Sequence, residues 1–287
     1  MGFVNFAEYR NVNSARITVN NAMIALLAGS RLASHTLTLT AGSDQLLPRI
    51  FPQVPNIQRF NLRTDGAKTL LDEADEHVAA VSVPYALSVH EDFVIVTLGM
   101  IRRYGTRVVV PGKRKLGPAT MHETLFDSVG QPRPTTTLEL FHVLREMRNS
   151  QIHEGGRANS RLVASLANLS GSGRKLWEQI VVDSPSDTVQ GGRVVFSLGH
   201  MFLVFAVIKR LARDVNVALQ SHWSRAQWAE ILVRDFSEQT LNLKNSSSWR
   251  RSVVGYSRFE FGPLGLMPDE IETAARTSGH WTGPSWA

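Results

Sequence analysis

Apolar residues recur at the helical period along most of the chain. Ile17, Met23, Ile24 and Leu27 mark a helix over residues 8–28. The Thr-rich stretch from His35 to Thr40 reads as a short strand or an extended lead-in, and Pro48, Pro52 and Pro55 predict a loop over residues 41–64. Leu70, Leu71, Ala74, Val78 and Val81, continued by Val89, Phe93, Val96 and Met100, predict one long helix or two in sequence over residues 66–104, kinked or broken at Pro84 and stopped at Gly105. A Gly- and Pro-rich loop follows from Thr106 to Pro134, with Val108 to Val110 as a candidate short strand. Leu138, Phe141, Leu144 and Met147 then define an amphipathic helix. Thr136 and Glu139 have capping-box spacing at its start, and Gly155 and Gly156 mark its end.

Further helices are predicted over residues 161–169, 175–182, 193–219 and 224–243. From Asn245 the Ser, Gly, Trp and Pro content predicts irregular chain with a short helix near Pro268 to Arg276. The expected class is all-α, an up-and-down helical bundle with irregular N- and C-terminal extensions. The expected division is an N-terminal helix and lead-in over residues 1–64, the bundle over 65–220, and a C-terminal helix with its extension over 221–287.

Composition narrows the chemistry. The 287 residues contain no cysteine, which excludes disulfides, a thiol nucleophile and thiolate zinc sites. The net charge is +6, and the 31 basic residues divide into 25 Arg and 6 Lys. Arg is the better phosphate ligand because its planar fork donates two hydrogen bonds to one anion. An Arg-favouring codon composition would give the same excess. The first twelve residues carry Glu8 and Arg10 and lack the basic start and apolar core of a secretory signal. The most apolar run, Val194 to Ile208, is shorter than the roughly 20 residues that span a bilayer, so a buried core helix is expected. A cytoplasmic protein without membrane contact is the resulting expectation.

One constellation carries chemistry. The segment Leu144 to Arg157 reads LREMRNSQIHEGGR and holds Arg148, Asn149 and His153. Arginine and histidine with four residues between them are expected by chance about 0.8 times in a chain of this composition, and Arg193 with His200, six residues between them, gives a second, looser match. Requiring Asn directly after Arg lowers the chance expectation to about a few hundredths. Histidine titrates near neutrality and can take or give a proton. Arginine stays charged and can hold a phosphate, and asparagine can orient either by hydrogen bonds. On an ideal helix Asn149 and His153 lie about 40° apart, whereas Arg148 and His153 lie about 140° apart. Two copies facing across a twofold axis would pool the separated groups. Arg148 also falls on the stripe of Phe141 and Leu144, where it could simply cap the core, and the helix dipole alone favours a histidine at position 153.

The Arg-Asn-x3-His pattern late on an amphipathic helix, with a long apolar helix downstream, resembles the HEPN superfamily over roughly residues 65–220. The resemblance implies a HEPN-like bundle and a metal-independent RNA endonuclease that leaves 2′,3′-cyclic phosphate ends without a cofactor. It also implies a homodimer with a shared cleft, a role in antiphage defence or as a toxin, and an antitoxin or defence-system partner. Arg148 would bind the scissile phosphate, His153 would serve as general base or acid, and Asn149 would orient one of them. Some HEPN toxins carry a modifiable Tyr two residues after the histidine. Gly155 stands there in this chain.

Other features are weighed against that reading. Arg102, Arg103, Arg107, Lys113, Arg114 and Lys115 form a basic stretch without acidic residues, suited to an RNA backbone or to a solvated loop. Arg145 and Arg157 flank the motif and are further candidates for RNA contact. Glu91 and Asp92 are candidates to orient His153 or Arg148. Trp249, Arg250, Arg251, Tyr256 and Arg258 suit single-stranded RNA or the packing of an extension. His77, His90, His142 and Glu146 give no metal-ligand spacing, no nucleophile elbow is present, and Gly171 and Gly173 lack the order of a phosphate loop. The alternative function is a non-catalytic helical module that binds RNA or a nucleotide.

Overall fold

The computed structural model describes residues 2–40, 42–112, 115–240 and 243–286. Among them the chain forms twelve α-helices and one two-stranded hairpin. In chain order the helices are α1 (Ala7–Thr38), α2 (Leu47–Ile50), α3 (Thr64–Asp72), α4 (Ala74–Arg103), α5 (Met121–Ser128), α6 (Thr135–His153), α7 (Ser160–Ala167), α8 (Gly171–Val181), α9 (Leu198–His222), α10 (Arg225–Gln239), α11 (Ser247–Glu260) and α12 (Pro268–Thr277). Strands β1 (Val189–Gln190) and β2 (Arg193–Val194) pair antiparallel, Val189 opposite Val194. The mostly helical class expected from the period is therefore correct.

The chain divides into two compact units. The first comprises Met1–Ala15, Ser88–Leu138 and Ile208–Ala287, and the second comprises Arg16–Leu87 and Glu139–Val207. The first is built on aromatics: Trp228 meets Phe6, Trp223 and Phe261 at ring separations of 5.8, 5.0 and 6.3 Å, and Trp249 gathers Phe236, Trp281 and Trp286. Two of its buried polar contacts join distant parts of the chain. Asn216 receives the Val4 N–H and donates to the Val4 carbonyl, and Arg10 holds Asp235 with two hydrogen bonds. His90 and His122 lie stacked with Nε2 atoms 2.9 Å apart, so one donates to the other.

The second unit contains most of α6. Leu140, Phe141, Val143, Leu144 and Met147 are buried on that helix, as are Leu162, Trp177, Met201, Leu203 and Val204 on its neighbours in the chain. Arg31 bridges to Asp75, and Asp72 accepts from Ser34 and Lys68. Of the described helices, α4 is the one long and apolar enough by length and composition to cross a membrane, and half of its apolar window is buried in the protein.

Several local expectations are corrected. Residues 35–38 are helical, not extended, because Leu37 and Ser34 continue the buried stripe of α1. The expected loop over 41–64 contains α2 and a 3-10 turn at Ile57–Arg59, and the loop after Thr106 contains α5. Helix α5 buries the polar His122 and Thr124 together with Met121, Leu125 and Phe126, which blurs its apolar pattern. Residues 108–110 form no strand. The break between α3 and α4 falls at Glu73, and Pro84 lies inside α4. A proline there costs about 3 kcal/mol, which burial of Ala79, Val83, Ala86 and Leu87 around it offsets. Beyond Asn245 the chain is not irregular. Ser246 caps α11 by accepting the Trp249 N–H, and Trp249, Val253 and Ser257 are buried at successive turns. The helix expected from residue 193 begins at Leu198, because residues 189–194 turn back as the hairpin.

Candidate functional site

The site grows from the last three turns of α6. His142, Arg145, Glu146, Asn149 and His153 fall within about 100° of one another on an ideal helix, opposite the buried Leu140, Val143, Leu144 and Met147. Glu146 is buried and fully engaged: Oε1 accepts from the Arg145 guanidinium at 2.7 Å, and Oε2 accepts from the Asn149 side-chain amide at 3.3 Å. A carboxylate taken out of water needs such partners. Its hydrogen bond fixes Asn149 one turn before His153. Burial, with the adjacent Arg145, pushes the His142 imidazole down to about 4 against the pull of Glu146, so this histidine is neutral near pH 7. His153 itself is exposed.

The chain reverses directly after His153. Gly155 and Gly156 adopt φ values of +58° and +82°, and the Ser150 carbonyl accepts the N–H groups of Glu154 and Gly156. Residues 156–158 then pair with the hairpin, through Val194 N–H to the Gly156 carbonyl and Ala158 N–H to the Gly192 carbonyl, both 2.9 Å. Asn159 caps α7 by accepting the Leu162 N–H at 2.8 Å, while its own N–H donates to the buried Ser150 hydroxyl. The reversal brings the start of α7 beside the end of α6. Between them lies an open, mainly polar cleft of about 490 Å³ lined by Glu146, Asn149, His153, Glu154, Asn159, Ser160 and Arg161.

Asn149 and His153 thus share one cleft. Arg148 is half-buried and does not line it. Arg145 is turned onto Glu146, and Arg157 is exposed, its backbone bridged to Arg193. Arg102, Arg103, Arg107 and Lys115 belong to the first unit, the first two at the end of α4, and Lys113 and Arg114 lie outside the described residues. Glu91 and Asp92 are also in the first unit, where Asp92 lines a cleft with Glu8, Asn11 and Phe93. Arg193 is on β2, not within the apolar helix. His200 serves the fold: Nδ1 accepts the Ser197 N–H at 3.0 Å, Thr188 lies 3.3 Å from Nε2, and burial lowers its pKa to about 4. Helix α6 begins at Thr135, and Glu139 accepts from the N–H and hydroxyl of Ser170.

Glu146, Ser160 and Arg161 were not anticipated from the sequence. The i, i+4, i+7, i+11 spacing of His142, Glu146, Asn149 and His153 was the available signal for Glu146. Nothing in the spacing points to Ser160 or Arg161, which reach the cleft only through the turn. Among the described residues no three His, Asp or Glu side chains are gathered to hold a metal ion. No family model, no curated sequence and no solved structure matches the chain.

Proposed function

We propose that the protein is a metal-independent RNA endonuclease built on a HEPN-like bundle, with its reaction centre at the end of α6. The observation that carries this reading is the cleft shared by Asn149 and His153, with Glu146 anchoring Asn149 beneath it. In the reaction the ribose 2′-oxygen forms a bond to the adjacent phosphorus while the bond to the 5′-oxygen breaks. The 2′-hydroxyl proton must leave, and the departing 5′-oxygen must gain one. His153 is exposed, and an imidazole can serve as donor or acceptor in either transfer. Asn149 is placed to orient it or the phosphate. Arg148 lies off the His153 face and suits a phosphate approached from a second copy of the chain, which is the reason to expect a homodimer. A role in antiphage defence or as a toxin, controlled by a partner protein, follows from the resemblance alone.

The test is incubation of the purified protein with structured and single-stranded RNA in EDTA. Wild type is expected to cut and leave cyclic phosphate ends, with His153→Ala and Arg148→Ala inactive and His153→Ala still binding RNA. Cutting by all three proteins alike would remove these residues from the reaction. RNA binding by wild type without any cutting would favour a non-catalytic binding module.

A further inference from the structure

We propose that Arg161, assisted by the Ser160 hydroxyl, is the phosphate-binding group of the His153 cleft within a single chain. The identity of the phosphate as RNA rests on the ribonuclease reading, but the anion site does not. The cleft has two walls, Glu146, Asn149 and His153 on α6 and Asn159, Ser160 and Arg161 at the start of α7. A phosphate held for proton transfer by His153 needs a fixed cation in the same space, because the charge on its oxygens grows as the new bond forms. Arg148 is not among the lining residues, and Arg145 is committed to Glu146 at 2.7 Å. Arg161 is the arginine that lines the cleft, and among the described residues it makes no ion pair or side-chain hydrogen bond. Its guanidinium therefore keeps its donor fork for two oxygens of one phosphate.

The local charges agree. Glu146 is neutralised by Arg145 and tied by Asn149, so the deep wall presents little free negative charge. Glu154 also lines the cleft and is the carboxylate there that opposes an anion. The position is set by backbone rather than by a long tether: Gly155 and Gly156 turn the chain and Asn159 caps α7, so Arg161 follows His153 by only eight residues across a rigid reversal. Arg148 is thereby released from the phosphate that His153 serves in its own chain.

The assignment is tested by adding inorganic phosphate to the full-length protein and following the His153 ring resonances by NMR, with chloride at equal ionic strength as control. A saturable shift is expected in wild type, lost in Arg161→Ala, partly restored in Arg161→Lys, and unchanged in Arg174→Ala on α8. Binding of a non-cleavable all-deoxy oligonucleotide is read in parallel. Arg161→Ala is expected to weaken it several-fold and to lower the salt slope by about one contact. A His153 response to phosphate that persists in Arg161→Ala, or oligonucleotide affinity unchanged by that substitution, overturns the proposal. If wild type cuts no RNA but the phosphate response depends on Arg161, the ribonuclease reading falls and the anion site stands. If wild type cuts and Arg161→Ala cuts equally well at low substrate, the anion site falls and the ribonuclease reading stands.

Discussion

At Gly156 the backbone needs φ of +82°, and a Cβ there would lie 3.2 Å from Arg193 Nη2 and 3.3 Å from Gln151 Oε1. Gly155 has φ of +58° with open space around it. Left-handed backbone costs an L-residue about 1–2 kcal/mol, so both alanine substitutions are unfavourable. Gly156→Ala is expected to destabilise more than Gly155→Ala in urea unfolding, because only the former adds crowding. Glu146 is the second residue on which the site turns. Removing one partner of a buried ion pair costs about 3 kcal/mol or more, since the remaining charge is left without compensation. Arg145 retains 16% side-chain exposure, which places Glu146→Ala at the low end of that range. An unfolding change well below this would mean that the pair is solvated and does not anchor Asn149.

Among the elements, α7 is short and depends on its cap. Eight residues cannot sustain a helix alone, and the Asn159 side chain satisfies one of its first N–H groups. Asn159→Ala is expected to cost about 1 kcal/mol in global unfolding. It is also expected to raise hydrogen exchange in Arg161 to Leu166 above that in α6. Uniform exchange in both helices would show that the turn, not the cap, sets the position of α7. Helix α6 behaves differently. Its apolar stripe was readable from Leu138 to Met147, and its end was readable from the glycine pair. Its polar stripe was only half readable, because Glu146 looks like an ordinary surface residue until its partners are placed.

At the scale of the whole molecule, buried histidines govern the response to acid. Burial lowers His90 to about 3 and His200 to about 4, and His142 is likewise held near 4. Each folded-state value lies below the ordinary value near 6.5, so the folded protein binds these protons less readily than the unfolded chain. Their contribution is fully present above about pH 6.5 and is lost as pH falls from there toward 4 and then 3. Each such histidine contributes a slope of about 1.4 kcal/mol per pH unit within its window. The urea midpoint is expected to be flat from pH 7 to 8 and to fall steeply between pH 6 and 4. A midpoint unchanged down to pH 4 would contradict the burial of these rings.

The sequence by itself determined the helical class, because a 3.6-residue apolar period is a local property that survives any tertiary arrangement. It determined the end of α6, since the two glycines take the left-handed backbone that follows His153 without the cost an L-residue meets there. It also marked Asn149 and His153 as sharing a face, one helical turn apart. It did not determine α5 or α11. The first buries His122 and Thr124 along with its apolar residues, which blurs the stripe, and the second is built on Trp and Ser residues whose composition resembles a loop. Nor did it pair Glu139 with Ser170, which lies more than thirty residues away in the chain. The cleft was decided by tertiary structure alone. Ser160 and Arg161 meet His153 because two glycines reverse the chain and a hairpin more than thirty residues later holds the reversal in place. Long-range hydrogen bonds of that kind have no period, so no local pattern announces them.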